Sequence, residues 1–306
     1  MDATRSGMSS HLLIPFDFSD SSMLAVRVGF HFARLMKVTP VILHVYPAVW
    51  YGETMSGDYF GSFDETDDLI QEAIEERDIR KVAERRFRKF RSKVNDMQKD
   101  GELPDVRYSS LLLEGVAEDQ ILEYCRENNP RLVVMSTRGI NKKEEELIGS
   151  VTAEVLDSCR VPVFTIPDNY PEDNRKQLSR FLMFCTLEQY DILGLENMMK
   201  TFEMPKADIW LMPITHRNME DAREKLEALY ERLSDAWPNI RFHQALLQET
   251  KVNSQIDEFI KQNDIELVIA PNRKAGIFTR LFRPSVAHQC LFALDIPMLA
   301  LPVAKD

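Results

Sequence analysis

The sequence predicts an α/β fold made of two tandem five-stranded parallel-sheet domains. In both halves of the 306 residues, short apolar runs alternate with helical periodicity, which is the pattern of parallel strands joined by crossover helices. The halves also align with each other, and the length is enough for two domains that each bury a core. We expect one domain over residues 1–168 and a second over residues 178–306. The stretch 167–177, rich in Pro, Asp, Glu and Asn, is predicted to link them.

The predicted elements follow in order along the chain. The strands of the first half are expected near 11–16, 38–46, 106–113, 131–136 and 161–166. The helices between and after these strands are expected near 20–36, 69–99, 116–128 and 149–159. The strands of the second half are expected near 180–185, 207–213, 241–247, 266–270 and 297–302.

The second half repeats the first, which indicates an internal duplication. The apolar run Leu132–Met135 falls over Leu267–Ala270, and the same offset holds to the ends of both halves. Nearer the N-terminus the offset is larger, so the first repeat carries about thirty extra residues between its second and third strands. In the earlier part of the alignment Asp17 falls on Thr186, and Val45 falls on Pro213.

A candidate anion site follows the run Leu132–Met135. The small residues Ser136 and Gly139 come directly after this strand, and Gly149 and Ser150 open the next helix. Backbone amides at a helix start have no intrahelical partner and carry the positive end of the helix dipole, so they suit phosphate. Small residues let such amides approach an anion closely.

This spacing resembles the nucleotide-binding signature of the universal stress protein family: Gly, two residues, Gly, nine residues, Gly, then Ser or Thr. Ser136 stands where the signature has its first Gly. The stretches 12–19 and 41–45 look like the first two strands of that family, and the resemblance covers about residues 10–168. It implies a Rossmann-like fold of the adenine nucleotide alpha hydrolase-like type. It also implies a ligand, ATP or a related adenine nucleotide with or without Mg, and a regulatory role in stress response.

The resemblance assigns a role to each matching position. Asp17 and the backbone of Val45 would hold the adenine and ribose, and the small residues after the fourth strand would hold the ribose and phosphates. The residues implied in nucleotide binding are Pro15, Asp17, Val45, Ser136, Gly139, Gly149 and Ser150. The alternative is that the glycines serve tight turns only and that Asp17 caps the helix that begins near Ser19.

The second repeat is expected to be degenerate, so that only the N-terminal domain binds a nucleotide. Compared with the first repeat, the residues at the aligned positions lack the carboxylate, have a larger side chain or lack a backbone N–H group. These residues are Thr186, Pro213, Pro271, Lys274 and Pro284. We expect the two domains to pair within the chain, and whether two chains form a homodimer stays open.

Two parts of the extra segment have alternative interpretations. Trp50–Asp68 mixes aromatic and acidic residues and is either a flap over the nucleotide or a surface loop packed on its own domain. The helix after it has one basic face, which can bind acidic partners or nucleic acid; within an acidic protein, a solvated face paired with neighbouring Glu is favoured.

Composition excludes several classes of function. The net charge of −11 argues against nonspecific binding to nucleic acid or to an anionic membrane. Residues 1–10 lack the apolar core of a signal peptide, and the four cysteines form no CxxC pair, so we expect a cytoplasmic protein with reduced, buried thiols. No GxxxxGK[ST] loop, GxSxG elbow or metal-like histidine spacing occurs. We therefore expect no rapid enzyme; a slow ATPase and a nucleotide-free interaction or scaffold protein stay open as alternatives.

Overall fold

The computed structural model divides the chain into two compact units, Met1–Val155 and Leu156–Asp306. The residues that the structure describes are 10–47, 79–138, 149–168, 170, 178–185, 187, 194–196, 198–199, 206–213, 219–246, 252–272 and 296–302. The predicted flap segment Trp50–Asp68 therefore lies outside the described residues. The domain limits expected from the sequence follow the repeat, whereas the division into units follows spatial contacts, so those limits stay a prediction.

The described residues of the first unit form four parallel strands in the order β3-β2-β1-β4. The strands are β1 (His11–Pro15), β2 (Thr39–Tyr46), β3 (Ser109–Glu114) and β4 (Val133–Ser136). The described helices are α1 (Asp20–Met36), α2 (Ile79–Lys99), α3 (Ala117–Asn128) and α4 (Ser150–Ser158), the last of which begins in this unit and ends beyond Val155. This arrangement confirms the predicted α/β class.

In the part of the second unit that the structure describes, six strands follow the order β5-β10-β9-β6-β7-β8. The strands are β5 (Val163–Ile166), β6 (Arg180–Cys185), β7 (Ala207–Pro213), β8 (Ile240–Gln244), β9 (Leu267–Asn272) and β10 (Met298–Pro302). Its described helices include α5 (Met219–Ala236) and α6 (Val252–Gln262). The pairs are parallel except β5 with β10, which is antiparallel. The order β8-β7-β6-β9 repeats that of the first unit, as a duplication requires.

Local sequence explains where α1 begins, ends and packs. The hydroxyl of Ser19 accepts a hydrogen bond from the Ser22 amide at 3.0 Å, which satisfies one of the free amides of the first turn. Lys37 adopts the left-handed conformation that closes the C-terminus. A Cβ atom on Gly29 would lie 2.5 Å from Cδ1 of Ile14, so the absence of a side chain lets α1 lie directly against β1. Glycine at this position therefore sets the helix–sheet distance.

Strand β3 begins later than the sequence predicts, at Ser109 rather than near residue 106. The side-chain amide of Gln98 donates to the carbonyl oxygens of both Pro104 and Val106, each at 2.9 Å. The Val106 amide in turn donates to the Pro104 carbonyl at 2.9 Å. These bonds hold the segment as a turn, so it cannot join the ladder with β2.

The strand pairing defines which positions of the two repeats are equivalent. Leu13 of β1 pairs with Val133 of β4, and Leu182 of β6 pairs with Val268 of β9. Because the duplication aligns Val133 with Val268, Leu13 and Leu182 are equivalent. Through their pairing with β1 and with β6, the residues of β2 and β7 are then also equivalent one by one.

This register corrects one part of the sequence alignment. Counted along the paired strands, Pro213 is equivalent to His44 and not to Val45. The residue equivalent to Val45 is Ile214, which lies outside the described residues. The prediction that proline removes the amide at the Val45 position of the second repeat is therefore wrong by one residue.

A polar cluster covers part of the β7–β8 pair. The Asp208 carboxylate accepts hydrogen bonds from Arg241 at 2.6 Å and from His243 at 2.8 Å. Partial burial acts to raise the pKa of Asp208, but these hydrogen bonds outweigh it and the net pKa is lowered. Trp210 stacks on the His243 ring with centroids 4.6 Å apart. The cluster places charge beside the last strand of this sheet.

Two smaller predictions can be compared with the structure. Cys125, Cys159 and Cys185 are buried free thiols, as expected, and Cys290 lies outside the described residues. None of the described helices has the length and the apolar character that crossing a membrane requires.

Candidate functional site

The strands of the first unit bring the predicted site residues to one edge of the sheet. Pro15 is the last residue of β1, and Asp17 follows two positions later. Val45 lies near the end of β2, and Ser136 is the last residue of β4. Because β2, β1 and β4 are adjacent and parallel, their carboxyl ends lie side by side, which is where open α/β sheets bind ligands.

The start of α4 is fixed to the end of β4 by two hydrogen bonds. The Gly149 amide donates to the Thr137 carbonyl at 2.8 Å, and the Thr152 hydroxyl donates to the Ser136 carbonyl at 3.0 Å. The Ser136 hydroxyl donates to the Arg138 carbonyl at 2.6 Å. The amide of Gly149 and the hydroxyl of Ser136, both predicted to face the ligand, are thus used within the fold.

The first turn of α4 retains further donors. The helix begins at Ser150, which is exposed, and the amides of its first turn have no partner within the helix. They carry the positive end of the helix dipole. Gly139 lies outside the described residues, and no group of three or more His, Cys, Asp or Glu residues suited to a metal ion occurs in the part of the chain that the structure describes.

Asp17 shapes the turn between β1 and α1. Its Oδ1 atom accepts hydrogen bonds from the Ser19 amide at 3.0 Å and from the Ser19 hydroxyl at 2.6 Å. Phe18, between them, has a φ of 68°, which is unusual for a residue other than glycine. The N-cap of α1 is therefore Ser19 and not Asp17, and the bonds from Ser19 hold the half-buried Asp17 carboxylate in a defined position.

His44 is a residue of this region that the sequence analysis did not single out. Its side chain is 4% exposed, and its Nδ1 atom lies 2.8 Å from the Phe16 carbonyl oxygen. Since a carbonyl only accepts, Nδ1 carries the proton, and Nε2 is buried without a hydrogen-bond partner. The pKa of His44 is lowered to about 4, mainly because the ring is buried and also because of the Arg86 charge; the Phe16 bond and Asp17 oppose this shift. The imidazole is therefore neutral at physiological pH.

An aromatic cluster encloses the His44 ring and connects it with α2. Phe18 meets the ring edge to face with centroids 4.5 Å apart, and Phe16 stacks on Phe90 of α2 at 3.9 Å. The Arg86 guanidinium lies 4.1 Å from the centroid of Phe18. Phe90, from the apolar face of α2, thus packs against the turn that follows β1.

Val45 lies beyond the point where β1 stops pairing with β2. The last paired residues are Pro15 and Leu43, and the Phe16 amide donates to the Leu43 carbonyl at 2.8 Å. Backbone groups alternate in direction along a strand, so the Val45 amide and carbonyl face the same side as those of Leu43. Among the described residues, no backbone group of β1 bonds to them there. They therefore line the space past the end of β1.

Comparisons with known proteins relate this chain to one family. The model of the universal stress protein family matches residues 8–167. Universal stress protein MJ0577 of Methanocaldococcus jannaschii is 22% identical over 159 residues, which cover 52% of this chain and 95% of that protein. Among solved structures, a universal stress protein from Archaeoglobus fulgidus has a TM-score of 0.64 at 16% identity, with 97% of each chain covered. A putative universal stress protein from Pseudomonas aeruginosa has a TM-score of 0.54 at 8% identity, with 96% of this chain and 93% of that chain covered. The likeness to these two structures concerns the fold, while the match of the family model over more than half of the sequence shows that this chain belongs to the universal stress protein family.

Proposed function

We propose that the chain binds an adenine nucleotide, ATP or a relative of it, at the carboxyl edge of β2, β1 and β4, and that it acts as a nucleotide-responsive regulator. The observation that carries this proposal is the backbone of Val45, which has no partner in β1 among the described residues and lies on the same sheet edge as the first turn of α4. The proposal includes one site per chain, in the first repeat. It also includes the location of the protein in the cytoplasm and the pairing of the two domains within the chain.

The two ends of the site match the two ends of a nucleotide. Adenine presents an amino donor beside a ring nitrogen acceptor, and an adjacent backbone C=O and N–H, as at Val45, complement that pair. The amides at the start of α4 suit phosphate oxygens. Strands β2 and β4 are separated by two strand spacings, or about 10 Å, a distance that a nucleotide can span between its base and its phosphates. Asp17 lies between them, where a carboxylate can accept a hydrogen bond from a ribose hydroxyl.

Calorimetry with the purified full chain tests the proposal. Titration with ATP, ADP and GTP is expected to show adenine-selective binding with a stoichiometry near one. Mass spectrometry of small molecules released by denaturing the freshly purified protein is expected to find an adenine nucleotide. No binding of any adenine nucleotide would refute the function, and a stoichiometry near two would refute the single site.

A matched pair of variants tests the phosphate end of the site. Gly149→Val places a branched side chain immediately before the exposed amides of α4, and it is expected to abolish ATP binding while the circular dichroism spectrum stays unchanged. Ser158→Val makes a similar addition at the last residue of the same helix and is expected to bind ATP like the wild type. Equal affinity of the Gly149 variant and the wild type would exclude a phosphate site at this helix start.

A nucleotide-free interaction protein is the second candidate function, and two contacts favour it. The Gly149 amide is already bonded to Thr137, and Oδ1 of Asp17 is already bonded to Ser19. In this alternative the small residues and the carboxylate serve the fold only. Absence of both a co-purified nucleotide and a calorimetric signal is its expected result. Formation of ADP above the buffer rate with ATP and magnesium would instead indicate the slow ATPase.

A further inference from the structure

The central ladders of the two units end at different positions. In the first unit the β1–β2 pairing ends with Pro15 opposite Leu43. In the second unit the equivalent pairing continues one residue further, to Cys185 opposite Pro213. The residue pair that follows the last pair common to both units is therefore formed in the second unit but not in the first.

The residue at this position accounts for the difference. His44 of the first unit directs Nδ1–H to the Phe16 carbonyl at 2.8 Å, whereas Pro213 has no side-chain donor. In a regular parallel ladder, the Phe16 carbonyl would accept the amide of Val45. The imidazole therefore bonds to the oxygen to which the next ladder bond would otherwise go.

The surroundings of the ring hold it in this orientation. Phe18 contacts one side of the ring at 4.5 Å between centroids, and Phe87 of α2 lies at 6.0 Å. The Nε2 atom is buried without a partner, so the bond from Nδ1 is the polar contact of the ring with the described residues. Exchange of this bond for one to water would require the aromatic cluster to open.

We propose that His44 is a positioning residue, which withholds the Phe16 carbonyl from the sheet and so keeps the amide of Val45 available to the base of a nucleotide. The role in base binding rests on the proposed function. The interruption of the ladder is a property of the ligand-free chain and can be tested by itself.

Amide hydrogen exchange, measured by NMR on the ligand-free full chain, tests the interruption. The Val45 amide is expected to exchange at least about tenfold faster than the Leu43 amide, which the ladder protects. In His44→Leu the Phe16 carbonyl becomes available, so the Val45 amide is expected to approach the protection of Leu43. His44→Asn keeps an N–H donor near the position of Nδ1 and is expected to exchange like the wild type.

Calorimetry on the same three proteins tests the role in base binding. ATP affinity is expected to fall about tenfold in His44→Leu, the effect of one hydrogen bond, and to be retained in His44→Asn. If the histidine had a merely structural role, its replacement by leucine would not change the exchange rate of the Val45 amide selectively. Replacement by asparagine would then not restore the wild-type rate.

Each result decides a separate part of the proposal. Equal protection of Val45 and Leu43 in the wild type overturns it without any variant, so a misfolded leucine variant does not prevent a decision. An unchanged Val45 exchange rate in a folded His44→Leu also overturns it. If the wild type binds no nucleotide, the proposed function and the base-binding role both fail, whereas the exchange pattern still shows whether His44 interrupts the ladder.

Discussion

Mild acidification is predicted to destabilise the first unit through His44. The folded chain holds the pKa of this imidazole at about 4, below the value of 6.5 for an unburied histidine. Between these two values the unfolded chain binds a proton that the folded chain does not bind. The free energy of unfolding therefore rises with pH across this window. The contribution is fully present above about pH 6.5 and is lost as the pH falls toward 4.

The size of the effect follows from the distance between the two pKa values. At about 1.4 kcal/mol per pH unit, the full window corresponds to about 3 kcal/mol. By pH 5, about 2 kcal/mol of this is expected to be lost. Burial also lowers the pKa of His11, which adds a change of the same sign. A loss of this size is a substantial part of the total stability of a typical domain.

Urea unfolding, followed by NMR signals of the first unit at pH 7 and pH 5, measures this prediction. The control is His44→Phe, which retains an aromatic ring but has no titratable group, so its unfolding free energy is expected to change less between the two pH values. A direct titration of the His44 Cε1–H signal gives the folded pKa. A pKa near 6.5, or the same pH dependence in the wild type and the control, would contradict the reasoning.

Two further predictions concern the packing and capping of α1. Gly29→Val is expected to lower the free energy of unfolding by about 1–3 kcal/mol, because its side chain collides with Ile14, whereas Leu35→Val on the exposed face of α1 is expected to have little effect; equal urea midpoints of the two variants would contradict this. Ser19→Ala is expected to cost about 1 kcal/mol in urea unfolding, because the Ser22 amide loses its acceptor, and an unchanged midpoint would show that the cap contributes nothing.

The fold was predictable because its signals are local and periodic. Buried strands such as Leu12–Ile14 appear as short apolar runs, and the apolar stripe Phe87–Phe90–Val94 of α2 has helical spacing. The start of β3 was not predictable, because it depends on a side-chain bond from Gln98 to the segment that follows α2. Such a bond cannot be recognised from the hydrophobic pattern of the sequence.

The candidate site was predictable only in part. The motif places Gly149 and Ser150 at a helix start, as the structure has it, but sequence spacing cannot show that the Gly149 amide is already bonded. The alignment also matched Val45 with Pro213, because similarity of strand residues does not define the pairing register. The role of His44 could not be predicted, because the function of a lone histidine within an apolar strand depends on a carbonyl partner that the sequence does not show.

The charged cluster beside β8 affects whether a strand of another molecule can add to this sheet. Strand β8 lies at the end of the strand order, and a strand in that position has one flank of backbone groups to which another strand can add. The Arg241 side chain of this strand is 78% exposed and pairs with Asp208, and a charged side chain on an edge strand disfavours the addition of a further strand. Fibril-like stacking of one molecule on the next is disfavoured at this flank, even when many copies are packed together.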